Sequence, residues 1–385
     1  MTTLKLPTAG GMADYTIRNS PIAVPAAAPM NRIAYAAAHV VVDPLADLDP
    51  WEAHAIDWER TLAFRHHLWD LGLGVAEAMD TAQRGMGLDW AGAQELIRRT
   101  AAAAASREGA LVAFGAGTDH LAPGADVTID RIIAAYEEQV GFVEGLGGRV
   151  ILMASRALAR VAKAPDDYAR VYDRILSQVR QPVIIHWLGE MFDPALAGYW
   201  GAADHMAAME TAIAVINGHA AKVDGVKISL LDKDKEIAMR RCLAPGVRMY
   251  TGDDFNYPEL IAGDDRGYSD ALLGIFDAIA PVAAAALVRL AAGDRAGYDA
   301  LLAPTVPLSR HIFKAPTRYY KTGVVFLAWL NGFQEHFSML GGQQSARSVQ
   351  HFAELFRLAD AARVLRDPDL AADRMRKLLA LAGMA

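Results

Sequence analysis

Eight apolar, often β-branched runs recur along the chain, at residues 33–42, 72–79, 111–115, 149–154, 182–188, 225–230, 247–251 and 270–275. Each ends in a small or polar cluster. Between them the spacing turns helical. Ile129, Ile132, Ile133 and Tyr136 recur at intervals of three and four residues, as do Tyr168, Val171, Tyr172, Ile175 and Leu176. Strands alternating with helices predict βαβ units and a parallel sheet. Eight such runs predict a closed (β/α)8 TIM barrel rather than an open sheet. Residues 1–30 read as an N-terminal arm and 31–293 as the barrel. Residues 294–385 show no further strand pattern and read as an extended helical C-terminal region packed on it.

In a barrel, alternate strand residues point to its centre and to the surrounding helices. On 225–230 the apolar set Val226, Ile228 and Leu230 must face the helices, which turns Gly225, Lys227 and Ser229 inward. On 182–188 the same alternation places His186 inside. Barrel enzymes keep their chemistry at the C-terminal ends of the strands, so Lys227, His186 and the polar turns that follow converge on one mouth.

Composition narrows the classes. The chain has 385 residues, 53% hydrophobic and 22% charged, enough to bury a large core. A net charge of −7 argues against a nucleic-acid partner, which calls for a basic surface. A single cysteine, Cys242, excludes an internal disulfide and any cysteine-only zinc site. The first 31 residues lack the uninterrupted apolar stretch of a secretory signal, and residues 281–292 are too short, and interrupted by Arg289, to span a membrane. A cytoplasmic protein with no membrane partner is expected.

Lys227 is the most informative residue. Lysine is rarely buried unless paired or functional, and this one sits mid-strand. Desolvation inside a barrel lowers an amine's pKa, and a neutral amine attacks a carbonyl to form a Schiff base. An ion pair with a carboxylate such as Glu77 is the other reading, and the pattern leaves both open.

The run Asp224-Gly225-Val226-Lys227-Ile228-Ser229-Leu230-Leu231-Asp232 resembles the sixth-strand signature of the dihydrodipicolinate synthase / N-acetylneuraminate lyase family. Ile56-Asp57-Trp58 resembles the entrance to the first helix, and Met249-Tyr250-Thr251-Gly252-Asp253-Asp254 resembles the Gly-Asp-Asp turn after the seventh strand. Residues 270–274, followed by Pro281, resemble the eighth strand and the proline opening the next helix. The long C-terminal region is similar to that of a divergent dihydrodipicolinate synthase-like branch. The resemblance implies a Schiff-base lysine at Lys227, a covalent mechanism without cofactor or metal, and a homo-oligomer.

The departures bear on the substrate. Where the family carries a Gly-Thr-Thr-Gly-Glu loop that binds the carboxylate of a 2-oxo acid, this chain reads Met79-Asp80-Thr81-Ala82-Gln83-Arg84-Gly85. Thr81 keeps a family role, whereas Asp80 would repel a carboxylate. The family's fifth-strand tyrosine is replaced by His186, a residue suited to proton transfer near neutrality.

The expected activity is a class I aldolase or lyase acting on a small carbonyl compound, a keto-sugar derivative or 2-oxo acid. Lys227, His186 and Tyr250 form the expected catalytic set. Thr81, Asp80, Glu190, Ser229, Gly252, Asp253, Asp119 and His120 form the expected substrate-binding set, the last two following the Gly115-Ala116-Gly117-Thr118 turn. Arg318 and Lys321, in a cationic aromatic segment, offer reach toward an acidic or polyhydroxylated substrate, although a segment that docks on the barrel or a neighbouring subunit is the simpler account of them. Glu77, Asp80, Asp119, His120, His186, Glu190, Asp253 and Asp254 also make a divalent-metal sugar isomerase or epimerase an alternative, without any recognised ligand spacing. A non-catalytic ligand-binding barrel is the third.

Overall fold

The computed structural model describes residues 2–23, 28–121, 124 and 126–384. An antiparallel hairpin comes first, β1 (Thr3–Thr8) with β2 (Gly11–Thr16). Eight parallel strands follow: β3 (Ala34–Ala37), β4 (Gly74–Glu77), β5 (Val112–Ala116), β6 (Arg149–Met153), β7 (Val183–Leu188), β8 (Val223–Ser229), β9 (Arg248–Thr251) and β10 (Asp270–Leu273). Each strand pairs with the next, and β10 pairs with β3, closing the barrel. The eight apolar runs are the eight barrel strands.

Alternation sorts the two faces as the pattern predicts. Tyr35, Ala37, Ala76, Met79, Ala113, Ile151, Ile184, Tyr250 and Leu272 form a separate cluster inside the barrel. Two tyrosines opposite several alanines fill the narrow interior without overpacking it. Val226, Ile228 and Leu230 face outward into the main core, beneath the helices. That face also holds one buried ion pair. Arg65 donates from Nε and Nη2 to the two Glu77 oxygens, each at 2.8 Å, and Thr100 Oγ1 donates to Oε2 at 2.7 Å. The fixed guanidinium fork matches the carboxylate, so both charges are satisfied without water.

After β10, the helices Ala280–Ala291, Arg295–Leu302, Thr305–Ile312, Tyr320–Leu330, Val349–Ala361 and Pro368–Leu381 carry the chain to its end. Every residue of Tyr320–Leu330 is buried. That helix packs on the short helix Ile275–Ala278 that follows β10, and against the last two helices.

The expected N-terminal arm is, over residues 3–16, the hairpin, which lies on those last two helices. Met1 and residues 24–27 of that arm fall outside the described residues. Asp360 fastens the junction, accepting from Tyr15 Oη at 2.6 Å and from the backbone N–H groups of Arg18 and Asn19 at 3.1 and 3.0 Å. Among the described residues, no helix is long and apolar enough to cross a membrane.

Candidate active site

Lys227 lies in register between His186 on β7 and Tyr250 on β9, and its side chain turns into the barrel. It is 7% exposed. Among the described residues, no carboxylate comes within 4.0 Å of its ammonium nitrogen. Burial pushes the amine below the ordinary lysine range, opposed by the charges of Asp254 and then Asp80. Gly252 makes room for it. A Cβ at that position would stand 2.8 Å from Lys227 Cε, 2.2 Å from Ser229 Oγ and 2.6 Å from the Ile228 carbonyl oxygen.

Asp254, Thr81, Ser229 and Tyr320 line the same chamber as Lys227. Burial raises the Asp254 carboxyl, although the Ile275 N–H donates to it at 2.8 Å. An amine pushed down and a carboxyl pushed up both favour their neutral forms, as a buried pair not in contact should. Thr81 Oγ1 and Tyr320 Oη are 2.7 Å apart. Burial and the Asp80 charge hold the Tyr320 phenol well above its ordinary value, so it stays protonated. His186 Nε2 lies 3.2 Å from Ser229 Oγ. Burial, then the neighbouring Lys227 charge, hold this imidazole far below its usual range, and it is neutral at physiological pH.

Two of these strand ends carry backbone strain. Ala78 after β4 and Leu231 after β8 adopt φ of 55° and 53°, where a Cβ crowds the following carbonyl. The first of these turns brings Met79, Asp80 and Thr81 to the Lys227 chamber.

The Lys227 chamber is narrow, about 10 Å³. Two larger cavities adjoin it, of about 610 and 740 Å³. Asp80 and Leu188 border all three. His186, Asp119, Arg84 and Arg156 border the first of the large cavities, and Tyr320, Lys321, Arg318 and Arg156 the second.

Several expected site residues lie elsewhere. Tyr250 points away from the mouth: its hydroxyl donates at 2.6 Å to Asp224, near the start of β8, and its ring fills the space left by Gly225. It plugs the barrel floor rather than serving catalysis. Asp253 accepts from the Phe255 and Asn256 N–H groups at 2.8 and 3.0 Å and from Asn256 Nδ2 at 2.8 Å, so it builds its own turn. Glu190 is tied to His205 Nε2 at 3.0 Å.

Asp119 does border a mouth cavity, but Arg84 holds it through two contacts of 2.8 and 2.9 Å. His120 turns to Gln139 Nε2 at 2.7 Å and to Glu138 at 3.2 Å. Glu77 belongs to Arg65, which removes the ion-pair reading of Lys227. Of the eight acidic and imidazole residues named as possible metal ligands, Glu77, Asp119, His120, Glu190 and Asp253 are thus engaged by other protein groups. Among the described residues, no three His, Cys, Asp or Glu side chains gather as a metal would require.

Sequence reasoning left Tyr320 without a specific role and treated Asp254 only as one metal candidate. A signal for the first exists in Tyr319-Tyr320-Lys321: a hydroxyl and an ammonium at the head of an otherwise apolar helix are unusual unless they meet something polar. Arg156, which also borders both large cavities, carries no comparable signal.

The (β/α)8 fold is similar to that of solved dihydrodipicolinate synthases. The Acinetobacter baumannii dihydrodipicolinate synthase, chloride-inhibited and complexed with pyruvate, superposes with a TM-score of 0.64 at 16% identity, covering 86% of this chain and 99% of that one. The Aquifex aeolicus enzyme gives 0.61 at 11% identity, covering 92% and 98%. The Thermotoga maritima enzyme gives 0.60 at 14% identity, covering 93% and 100%. No curated protein matches the sequence. The chain belongs to the family described as protein of unknown function (DUF993), whose pattern it matches over residues 4–384.

Proposed function

We propose that this protein is a Schiff-base-forming class I aldolase or lyase that acts on a small oxo compound through Lys227. One observation carries the reading: a buried lysine at the C-terminal mouth of the barrel, within reach of no carboxylate and biased toward the neutral amine. A structural lysine in that position would be expected to have a partner.

The Nζ lone pair attacks the carbonyl carbon, and the carbonyl oxygen takes a proton to give a carbinolamine. That hydroxyl takes the Asp254 proton and leaves as water, and the nitrogen lone pair closes the protonated imine, leaving Asp254 as carboxylate. Tyr320, protonated and hydrogen-bonded to Thr81, is the hydroxyl placed to deliver the proton to oxygen and to regain one from nitrogen, and Asp254, kept protonated by burial, is the acid for the departing hydroxyl. His186 acts through Ser229 on the same chamber. The imine then draws electrons from an adjacent C–C bond as it breaks, or stabilises the carbanion that forms one. Leu188 and Phe192 border both the narrow chamber and the adjoining cavity of about 740 Å³, on the side from which a carbonyl would approach Nζ.

Dihydrodipicolinate synthases with this fold include one captured with pyruvate. In this chain Asp80 borders the chamber and disfavours a carboxylate directly beside the carbonyl, so keto-sugar-like compounds fit better than 2-oxo acids. Borohydride trapping with pyruvate, dihydroxyacetone and longer ketoses, followed by peptide mass mapping, tests the proposal. The expected adduct is on Lys227 and absent from Lys227→Ala. Modification of a different lysine, or of none across the panel, overturns it.

A further inference from the structure

The second large cavity contains a lysine that the proposed chemistry leaves unused. Lys321 is 2% exposed, and its one hydrogen-bond acceptor among the described residues is the Met86 thioether sulfur, at 3.1 Å. A thioether is a weak acceptor and carries no charge. A buried ammonium held this way lacks a counter-ion, although the Asp80 and Asp193 charges act on it from a distance.

Its surroundings are cationic. Arg156, Arg318 and Lys321 border the cavity, against the carboxylates of Asp80 and Asp193. Asp193 is already engaged by Arg156. Arg318 donates to the Tyr319 hydroxyl at 3.0 Å, and no carboxylate among the described residues lies within 4.0 Å of it. Two cations therefore stand unmatched on one wall. The cavity, about 740 Å³, shares Asp80, Leu188, Phe192 and Tyr320 with the Lys227 chamber.

We infer that Lys321 and Arg318 form an anion subsite that binds a phosphate or carboxylate group of the substrate remote from its carbonyl carbon. This rests on the Lys227 reading and narrows it: the substrate is an oxo compound whose reactive end enters the narrow chamber while its anionic end remains in the wider cavity. Asp80, between the two spaces, works against a carboxylate adjacent to the carbonyl but leaves the far wall free to take one. Tyr320 and Lys321 are consecutive on one helix, so a bound anion fixes the phenol that faces Thr81. The subsite thus selects the substrate and steadies the proton donor through the same backbone.

Calorimetric titration of the full-length protein with inorganic phosphate and, separately, with malonate distinguishes the two anion types. Saturable binding of at least one is expected in the wild type and, undiminished, in Lys227→Met. Binding should weaken at least tenfold in Lys321→Met and severalfold in Arg318→Ala, whose side chain is at the surface and whose loss leaves the core intact. Trapping should correspondingly half-saturate at lower dihydroxyacetone phosphate than dihydroxyacetone in the wild type, a gap that Lys321→Met closes. Failure of both anions to bind the wild type, or equal binding by Lys321→Met and Arg318→Ala, overturns the subsite. Anion binding that persists while no carbonyl compound is trapped would instead refute the Lys227 chemistry and leave the subsite standing.

Discussion

Thr81 and Tyr320 share a 2.7 Å hydroxyl contact across 239 residues of chain, joining the loop after β4 to the buried helix Tyr320–Leu330. Through it the C-terminal region places a phenol against the Lys227 chamber. Tyr320→Phe removes the proton donor and keeps the ring. Positioned general acids contribute roughly 10²–10⁴-fold. The imine-forming rate, followed by borohydride-quenched mass spectrometry, should fall by about 10²-fold or more with the adduct still on Lys227. An unchanged rate would assign the proton to another group.

Lys321→Met should stabilise the protein in phosphate-free buffer. Burial lowers its amine to about 8, and the charges of Asp80 and Asp193 oppose the effect while those of Arg156 and Arg318 add to it. The unfolded chain holds the proton up to about pH 10.4. Below pH 8 the folded state therefore carries the full cost of a buried ammonium, and that cost fades as pH rises from 8 to about 10.4. The variant should exceed the wild type by ~3 kcal/mol at pH 7, with the difference closing toward pH 10. Denaturant melts at several pH values measure it.

Glu236 gives the opposite kind of pH dependence. It sits on the helix Lys233–Arg240, buried, with Thr251 and Ser269 hydroxyls donating at 2.9 and 2.7 Å. Burial dominates and raises its carboxyl to about 8. The folded state keeps a proton that the unfolded chain loses near pH 4.3, so stability falls as pH rises from about 4.3 to 8. Glu236→Gln should flatten this slope and melt above the wild type at pH 8.5. Parallel pH profiles for the two proteins would reject the assignment.

Gly252→Ala tests the packing around the nucleophile. The added methyl meets Ile228 backbone as well as Ser229 and Lys227 Cε, so the β9 turn must shift and cannot merely rotate a side chain aside. Overpacking of this kind costs about 1–3 kcal/mol. The melting temperature should drop, and trapping at Lys227 should slow more than tenfold. Full trapping in a destabilised variant would show that the turn yields without moving the lysine.

Strand periodicity makes the barrel legible because it depends only on neighbours two residues apart. It locates Lys227 and His186 inside for the same reason, and the turn after β9 follows from Gly252, Asp253 and Asp254. Height along the barrel axis is a different matter. Lys227 and Tyr250 are register partners facing the same interior, yet one rises to the mouth and the other sinks to Asp224, because Gly225 leaves room beneath it. Alternation alone does not distinguish up from down. Nor does it separate Asp253 from Asp254, adjacent residues of which the first caps its own turn and the second borders the chamber. Tyr320 and Lys321 carry a local signal that they meet something polar, but only the docking of a distant helix sets what they meet, Thr81 and the cavity that Asp80 borders.

That docking also sets an order of events during synthesis. The last barrel strand ends at residue 273, so Lys227 and all eight strands are synthesised before the helix that carries Tyr320 and Lys321. The phenol and the unmatched cations are synthesised later, and Asp360 in the layer that holds them is gripped by Tyr15, Arg18 and Asn19, which precede the barrel strands in the chain. On the proposed chemistry, a nascent barrel would have its amine without its acid or its anion grip until the C-terminal helices dock.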